Sequence, residues 1–224
     1  MPSSALSNLI YDDALDWPFA GVDEVGRGCI AGPVVACALV LPKGCKIAGV
    51  RDSKKLTSKQ RSELEKKIVE VAEAYAFGIV EADEVDETNI LVATLKAMSI
   101  AIRGLTVPVK TVVVDGIHAP CTDYPVVCLK SGDSLSLTVA AASILAKEYR
   151  DRQMGEFCKQ FPKYGFSAHK GYGTKKHFEA ISRHGLCPLH RRTFLKRSGL
   201  FASQNAASRP CLTSRFINEN LQIN

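Results

Sequence analysis

The sequence predicts an α/β fold, in which a mixed five-stranded sheet is flanked by helices. The first observation is a set of five short, mostly apolar and β-branched runs, which predict strands at residues 19–23, 32–41, 75–80, 111–115 and 126–129. The second is their order. The first three runs can pair as an antiparallel meander, whereas later strands joined through helices must run parallel. Both pairings in one chain give a mixed sheet.

Helical periodicity fills the segments between and after these strands. Thr57 with Gln60 fits a capping box and predicts a helix that continues to Ala74. A helix from Asn89 to Arg103 would end at Gly104. Further helices are predicted at residues 134–161 and 174–184. We therefore expect a lead-in at 1–17, a sheet domain at 18–160, a basic helical part at 161–197 and a weakly ordered tail at 198–224.

Composition restricts the class of protein. Apolar residues make up 46% of the 224 residues, enough for a core, and no apolar run approaches the roughly 18 residues of a membrane span. The N-terminus lacks the pattern of a signal peptide, so we expect a cytoplasmic protein. None of the eight cysteines forms a Cys-x-x-Cys pair, which favours reduced, buried thiols over a structural zinc site.

The net charge of +6 is unevenly distributed. Residues 147–197 hold 13 Lys/Arg against 4 Asp/Glu, a local charge of +9, so the rest of the chain carries −3. A polyanion such as nucleic acid would suit this segment. A solvated surface would explain the same charge equally well.

Acidic residues stand at the ends of predicted strands. Asp23 and Glu24 follow one strand, Asp115 ends another, and Asp133 precedes a helix. Carboxylates at neighbouring strand ends converge and repel one another unless cations neutralise them. Mg²⁺ and Mn²⁺ favour such oxygen ligands. Two such ions about 4 Å apart would clamp the attacking water and the leaving oxygen of a phosphodiester.

Each acidic position also has a simpler explanation. Asp133 fits the N-cap of the following helix, and Asp115 before Gly116 fits a turn. Asp23 and Glu24 fit a solvated loop. Taken one at a time, these explanations are favoured, because short patterns often mislead.

A series of motifs changes that balance. They are Gly-Val-Asp-Glu-Val-Gly-Arg-Gly at 21–28, Asp-Ser-Lys-Lys-Leu at 52–56, Val-Asp-Gly at 114–116, Lys-Ser-Gly-Asp-Ser at 130–134, the Ala-rich run 140–147 with Arg150 and Asp151, Tyr-Gly-Phe at 164–166, His-Lys-Gly-Tyr-Gly-Thr at 169–174 and Pro-Leu-His-Arg-Arg-Thr-Phe at 188–194. Their order along the chain, over about residues 18–197, resembles that of ribonuclease HII, the type 2 ribonuclease H family.

The resemblance implies an RNase H-like catalytic domain at 18–160 and a C-terminal helical part at 161–197 that helps to hold the duplex. It implies an endonuclease that cuts the RNA strand of RNA–DNA hybrids, including 5′ to single ribonucleotides in duplex DNA, with two Mn²⁺ or Mg²⁺ ions. The matching metal ligands and catalytic residues are Asp23, Glu24, Asp115 and Asp133. The matching substrate-reading residues are Gly26, Arg27, Gly28 and Tyr172, which would contact the ribonucleotide and its 2′-hydroxyl.

Two departures from the family pattern stand out. Val25 occupies a position where the family more often has Ala, and the related type 3 enzymes also have Val there. Those enzymes replace the arginine of Gly-Arg-Gly, so Arg27 favours type 2. No motif matches the residues after Ser198, and the role of the tail stays open.

Several other residues allow two interpretations. Lys54 and Lys55 fit phosphate contacts or an exposed charged loop equally well. His169 and His190 fit structural histidines somewhat better than phosphate contacts. Arg191 and Arg192 fit a basic groove better than a core. Asp151 is best explained by a salt bridge on or between helices.

Two competing functions complete the predictions. A resolvase-like or transposase-like two-metal nuclease would not need Gly-Arg-Gly or Tyr172 to read a 2′-hydroxyl. A non-catalytic nucleic-acid-binding module would explain the basic segment, but not four acidic residues that would repel a polyanion. The sequence shows no obligate protein partner.

Overall fold

The structure of the protein is a computed structural model that describes residues 11–50 and 56–197. Five strands form one sheet: β1 (Phe19–Val25), β2 (Val34–Val40), β3 (Ala74–Val80), β4 (Thr111–Asp115) and β5 (Val126–Leu129). Their order across the sheet is β3-β2-β1-β4-β5. β1, β2 and β3 are antiparallel neighbours, whereas β4 runs parallel to β1 and to β5. The predicted mixed sheet is confirmed.

Seven helices accompany this sheet in the described part of the chain. They are α1 (Ser58–Val71), α2 (Ala82–Glu87), α3 (Ile90–Arg103), α4 (Leu137–Gln160), α5 (Phe166–His169), α6 (Lys175–His184) and α7 (Arg192–Arg197). The capping box of Thr57 and Gln60 is present at α1, and Gly104 ends α3 as predicted. Asn89, predicted as the first residue of α3, is its N-cap.

Two differences from the predicted elements bear on the site. β1 continues through Glu24 to Val25, so Asp23 and Glu24 lie within the strand and not in the loop that follows it. Before α4, a short 3-10 turn covers Gly132–Ser134, and the helix begins at Leu137 with Ser136 as its N-cap. Asp133 is therefore not the N-cap of this helix. The short helix α2 was not predicted, because six residues are too few to show a period.

The two faces of the sheet are covered by different helices. α3 packs on β2 and β3, with Ala93, Ala97 and Ala101 in the core on that face. On the other face α4 packs on β1 and β2 through its small residues at 140–142, and α1 lies against α4. A Cβ at Gly21 would lie 2.7 Å from the backbone of Thr138 and of Val139. Small residues thus bring the start of α4 against β1, close to Asp23.

The C-terminal helical part has a core of its own. Tyr164, Phe166, Ile181 and other buried residues pack with Met154 of α4 and with Ile30 and Ala31 of the loop after β1. The last two residues attach this part to the segment 26–33. Within the described ranges, no helix combines the length and the apolar character needed to cross a membrane.

The lead-in is docked over the residues that the structure describes. Asp12 Oδ2 accepts hydrogen bonds from Thr138 N at 2.9 Å and Thr138 Oγ1 at 2.7 Å, at the start of α4. Tyr11 N donates to the Leu135 carbonyl at 3.2 Å. Residues 1–10 and the predicted tail at 198–224 lie outside the described residues.

Candidate active site at the carboxyl edge of the sheet

Three carboxylates from separate elements meet beside the central strands. Asp23 lies in β1, Asp115 ends the parallel neighbour β4, and Asp133 lies in the 3-10 turn before α4. One carboxylate oxygen from each can be chosen such that all three lie within 4.8 Å of one another. Asp23 and Asp133 are buried, and Asp115 is partly exposed. The predicted convergence of these residues is present in the structure.

Burial and mutual repulsion make the charged forms of these carboxylates unfavourable. Burial raises the pKa of Asp23 well above its usual value, and the nearby charges of Glu24 and Asp115 raise it further. A hydrogen bond with Ser143 opposes this shift. Burial also raises the pKa of Glu24, against the opposing effect of Arg27. Repulsion and desolvation of this kind are what a bound divalent cation would relieve.

The orientations of the carboxylates are set by the protein. Asp23 Oδ1 accepts a hydrogen bond from Glu24 N, and Asp115 Oδ1 accepts one from Gly132 N, both at 2.7 Å. Glu24 Oε1 accepts from Arg27 Nη1 at 3.1 Å. Among the described residues, the buried Glu24 Oε2 has no hydrogen-bond partner. A hard cation suits this oxygen and the three clustered carboxylates, so the residues present fit a divalent metal.

The loop after β1 carries the predicted Gly-Arg-Gly. Gly26 has φ +94°, and a Cβ there would clash with Arg150 Nε and lie 2.7 Å from the Pro33 carbonyl oxygen. The Arg27 side chain is 49% exposed while it holds Glu24. A Cβ at Gly28 would meet no protein atom within 4 Å. Gly26 is thus required by the fold, whereas Gly28 leaves open space at the surface of this loop.

Tyr172 lies in a second loop that is hydrogen-bonded to the first. Tyr172 is 42% exposed at the surface. The Gly171 carbonyl next to it accepts hydrogen bonds from Ile30 N at 2.9 Å and Ala31 N at 3.3 Å. Partial burial raises the pKa of the Tyr172 hydroxyl, and the neighbouring Cys29 thiol adds to the shift. The structure therefore brings Tyr172 to the same edge as the Gly-Arg-Gly loop.

A chain of hydrogen bonds between histidines supports the Tyr172 loop. Cys187 N donates to His190 Nδ1 at 2.9 Å, and the Nε2 atoms of His190 and His177 lie 3.2 Å apart. His177 Nδ1 lies 2.9 Å from the Tyr172 carbonyl oxygen. The bonds are all satisfied if His190 carries its proton on Nε2 and His177 on Nδ1. Burial keeps both neutral, with the pKa lowered to about 4 for His177 and about 3 for His190.

The structural interpretation of His190 and His169 agrees with these contacts. His169 Nε2 lies 2.7 Å from the Tyr164 carbonyl oxygen, and its Nδ1 accepts from Gly171 N at 3.2 Å. Asp151 forms the expected salt bridges, within α4 to Lys147 and between helices to Arg61. Lys54 and Lys55, for which phosphate contacts and an exposed charged loop are equally good explanations, lie outside the described residues.

The prediction for Arg191 was wrong. This residue is fully buried, and its guanidinium binds main-chain carbonyls instead of lining a basic groove. Arg150 is also fully buried, so two of the thirteen basic residues at 147–197 do not contribute to a charged surface. The described cysteines are free thiols, but Cys121 and Cys128 are exposed, contrary to the expected burial.

Sequence reasoning missed the roles of Arg150, His177 and Ser143. Arg150 lies on a helix next to Asp151, where an arginine is usually solvated. The Gly-rich loops that surround it were a usable signal, because their buried carbonyls need donors. Ser143 carries no signal of its own, because its partner Asp23 is distant in the chain. The partners of His177, Tyr172 and His190, are 5 and 13 positions away, but no spacing rule identifies such a pairing.

The fold and the site together define a class of protein. A mixed sheet with two central parallel strands, carrying a buried carboxylate cluster that fits divalent cations, is the arrangement of a metal-dependent nuclease with a ribonuclease H fold. Comparison with known proteins gives the same class. The family model described as Ribonuclease HII matches residues 20–198. The chain belongs to the ribonuclease HII family, and it is an RNA–DNA hybrid endonuclease.

Individual relatives and solved structures are similar over most of the chain. Ribonuclease HII of Ruminiclostridium cellulolyticum is 49% identical over 177 residues, which cover 79% of this chain and 69% of that protein. The ribonuclease H2 of Pyrococcus horikoshii is 27% identical with a TM-score of 0.67, covering 81% of this chain and 96% of the other. The RNase HII of a PCNA:RNase HII complex from Archaeoglobus fulgidus is 25% identical with a TM-score of 0.62, covering 77% and 93%.

Proposed function

We propose that the enzyme hydrolyses the phosphodiester on the 5′ side of a ribonucleotide, both in RNA–DNA hybrids and at single ribonucleotides within duplex DNA. Asp23, Glu24, Asp115 and Asp133 would hold two Mn²⁺ or Mg²⁺ ions. The observation that carries the proposal is the convergence of the Asp23, Asp115 and Asp133 oxygens within 4.8 Å, mostly buried, from three separate elements. A solvated loop or a simple turn does not produce such a cluster.

The chemistry divides between the cations and the chain. When bound, divalent cations would make water a better nucleophile and stabilise the negative charge of the departing 3′-oxygen. The chain supplies preset orientations: Glu24 N and Gly132 N fix Asp23 and Asp115 before any ligand arrives. Preset groups of this kind do not have to reorganise during the reaction.

The loop that follows β1 and the loop of Tyr172, which are hydrogen-bonded to each other, would select the ribonucleotide. The open space at Gly28 lets a sugar approach the main chain, and the exposed part of Arg27 can reach a phosphate. Tyr172 would stack on a sugar or base face near the junction. Because DNA lacks the 2′-hydroxyl, a contact with that group distinguishes RNA from DNA.

The basic part at 161–197 would hold the rest of the duplex. Lys163, Lys175, Lys176 and Arg183 are exposed there. Contacts between such side chains and phosphates fix the register of a protein on a duplex without reading its sequence. The sequence shows no obligate protein partner, and we expect the purified protein to act without one. The PCNA contact is a property of the Archaeoglobus protein complex.

A defined duplex tests the proposal. The substrate is a DNA duplex with one embedded ribonucleotide, incubated with Mg²⁺ or Mn²⁺, beside an all-DNA duplex of the same sequence. We expect a nick on the 5′ side of the ribonucleotide, no nick in the all-DNA control and no product with EDTA. Cleavage of a four-way junction without a nick at the ribonucleotide would favour a resolvase-like nuclease. Duplex binding that survives EDTA without any product would favour the non-catalytic module.

A further inference from the structure

Two arginines lie fully buried beneath the Gly-Arg-Gly loop. Arg150 projects from α4, Arg191 directly precedes α7, and neither exposes any of its surface. A buried guanidinium is unfavourable unless its N–H groups find acceptors, and arginines in proteins are seldom buried without a partner. The identity of the acceptors therefore indicates what these side chains do.

Arg191 binds three carbonyls of the loop that follows β1. Its Nε and Nη2 donate to the Gly32 carbonyl at 3.0 and 2.7 Å. Its Nη1 donates to the carbonyls of Arg27 at 3.1 Å and Cys29 at 2.9 Å. The fork thus spans from the middle residue of Gly-Arg-Gly to the far end of the loop.

Arg150 binds the same loop and also the loop of Tyr172. Its Nε donates to the Pro33 carbonyl at 2.9 Å, and its Nη2 to the Ala31 carbonyl at 3.1 Å. Its Nη1 donates to the Lys170 carbonyl at 2.8 Å, two residues before Tyr172. One planar group therefore fixes the separation of the two segments that we expect to contact the ribonucleotide.

Within the described ranges, the seven hydrogen bonds of these two guanidiniums all go to main-chain carbonyls. Burial lowers the pKa of Arg191 to about 10, so it stays charged at neutral pH. Asp86 and Glu81 attract it electrostatically, and Arg150 repels it. Two like charges share this buried volume because the carbonyl oxygens of the loop converge on it.

We propose that Arg150 and Arg191 are positioning residues for substrate reading: by drawing the carbonyls of residues 27–33 inward, they set the shape of the Gly-Arg-Gly loop and its distance from Tyr172. This inference rests on the proposed function of the two loops. Neither arginine touches the substrate. A role in stability alone is the competing explanation, and it predicts loss of fold without a specific loss of rate.

Conservative substitutions separate the two roles. Lysine keeps the positive charge but lacks the planar fork, so Arg191→Lys and Arg150→Lys cannot hold the same set of carbonyls. The matched control is Arg152→Lys on the same helix, where an exposed side chain pairs with Glu65. The measurements are kcat and KM on the duplex with one ribonucleotide, Mn²⁺ affinity by calorimetry, and folding by circular dichroism at the assay temperature.

We expect both buried variants to lose about 100-fold in kcat, as small misplacements of a substrate do. Their Mn²⁺ affinity should stay within about 3-fold of the wild type, because the carboxylates come from other elements, and Arg152→Lys should behave as wild type. Folded variants that cut at the wild-type rate would overturn the inference. So would a loss that the unfolded fraction fully accounts for in both variants.

A double-mutant cycle tests whether Arg191 acts through the loop. Gly28→Ala alters the loop where no protein atom lies near, and the effect of Arg191→Lys should shrink to less than about 3-fold in that background. Full additivity of the two effects would contradict the inference. Failure of the wild-type enzyme to nick the ribonucleotide duplex would instead contradict the proposed function, which keeps the two failures distinguishable.

Discussion

The carboxylate cluster and the arginine pair are opposite cases of buried charge, and the loop after β1 contacts both, through Arg27 on Glu24 and through its carbonyls on Arg150 and Arg191. On one side, Asp23 and Glu24 have raised pKa values, and Glu24 Oε2 is buried without a partner among the described residues. On the other side, the guanidiniums of Arg150 and Arg191 are matched by carbonyls of the same protein.

The difference shows what each cluster is for. Glu24 Oε2 is buried without a hydrogen-bond partner among the described residues, and burial and repulsion raise the pKa values of Asp23 and Glu24, so the acidic cluster fits cations. Charges that the protein satisfies by itself hold its own structure in place, and the arginines therefore fit a positioning role. A substitution in the carboxylate cluster should alter activity more than stability. A substitution of Arg150 or Arg191 should alter the geometry of the loop after β1 and of the loop of Tyr172.

Asp115→Asn should produce the largest effect on activity. Removal of one hydrogen-bond donor from a preset electrostatic site typically lowers the rate by about 100- to 1000-fold, and we expect at least that loss of cleavage when a charged metal ligand is removed. The metal-free variant should be as stable as the wild type or more so, because repulsion among the carboxylates is reduced. Nicking assays and thermal unfolding in EDTA test this, with Asp123→Asn at an exposed position as the control. Full activity in Asp115→Asn would refute the proposed site.

The buried histidines and the acidic cluster should make contributions of opposite sign to the pH dependence of the free energy of unfolding. His177 and His190 support the loop of Tyr172. They stay neutral in the folded protein, whereas in the unfolded chain they take up protons near pH 6.5. Protons therefore favour the unfolded state. This contribution is fully present above pH 6.5 and is lost towards pH 4, by up to about 1.4 kcal/mol per pH unit for each histidine. Asp23, whose pKa is raised, contributes stability at low pH that is lost as the pH rises.

Urea unfolding in EDTA at several pH values measures both contributions. Below pH 6.5, the free energy of unfolding should fall less steeply with pH in His177→Asn than in the wild type. The exposed control His184→Gln should behave as the wild type. Asp23→Asn should remove a contribution of the opposite sign. If the free energy of unfolding depends on pH in the same way in the wild type and in His177→Asn, the buried histidines are not the source of this pH dependence.

Divalent cations should stabilise the wild-type protein through the acidic cluster. A ligand that binds only the folded state adds about 2.7 kcal/mol to the free energy of unfolding when its concentration is 100 times Kd. We therefore expect Mn²⁺ to raise the Tm of the wild type and of Asp123→Asn, and to have little effect on Asp115→Asn. An equal shift in all three proteins would indicate binding elsewhere.

The two glycines of Gly-Arg-Gly should separate stability from activity. Gly26→Ala should lower the free energy of unfolding by about 1 to 3 kcal/mol, because φ is +94° and the new Cβ would clash with Arg150. Gly28→Ala should change stability by less than about 0.5 kcal/mol and still slow cleavage, because its methyl group points into open space. Urea unfolding and nicking assays compare the two. Equal stability of the variants would contradict the assigned backbone roles.

The sequence predicted the fold well where apolar patterns are local. β4 and β5 match the predicted bounds, and the convergence of Asp23 with Asp115 followed from parallel strands that end at one edge. The fate of Arg191 could not be predicted in the same way. Its burial depends on carbonyls as far as 164 positions away in the chain, and nothing in the adjacent residues distinguishes it from a surface arginine.

The bonds of Arg191 also bear on when the enzyme becomes competent during its synthesis. A growing chain folds from its N-terminus, so a nascent protein that has reached Asp133 already contains all four carboxylates. The carbonyl of Arg27 still lacks its donor, because Arg191 has not been made. Ribosome-bound chains that end between Asp133 and Arg191 should therefore contain the acidic residues without the shaped loop that selects a ribonucleotide. Selective cleavage would begin only after Arg191 has been made.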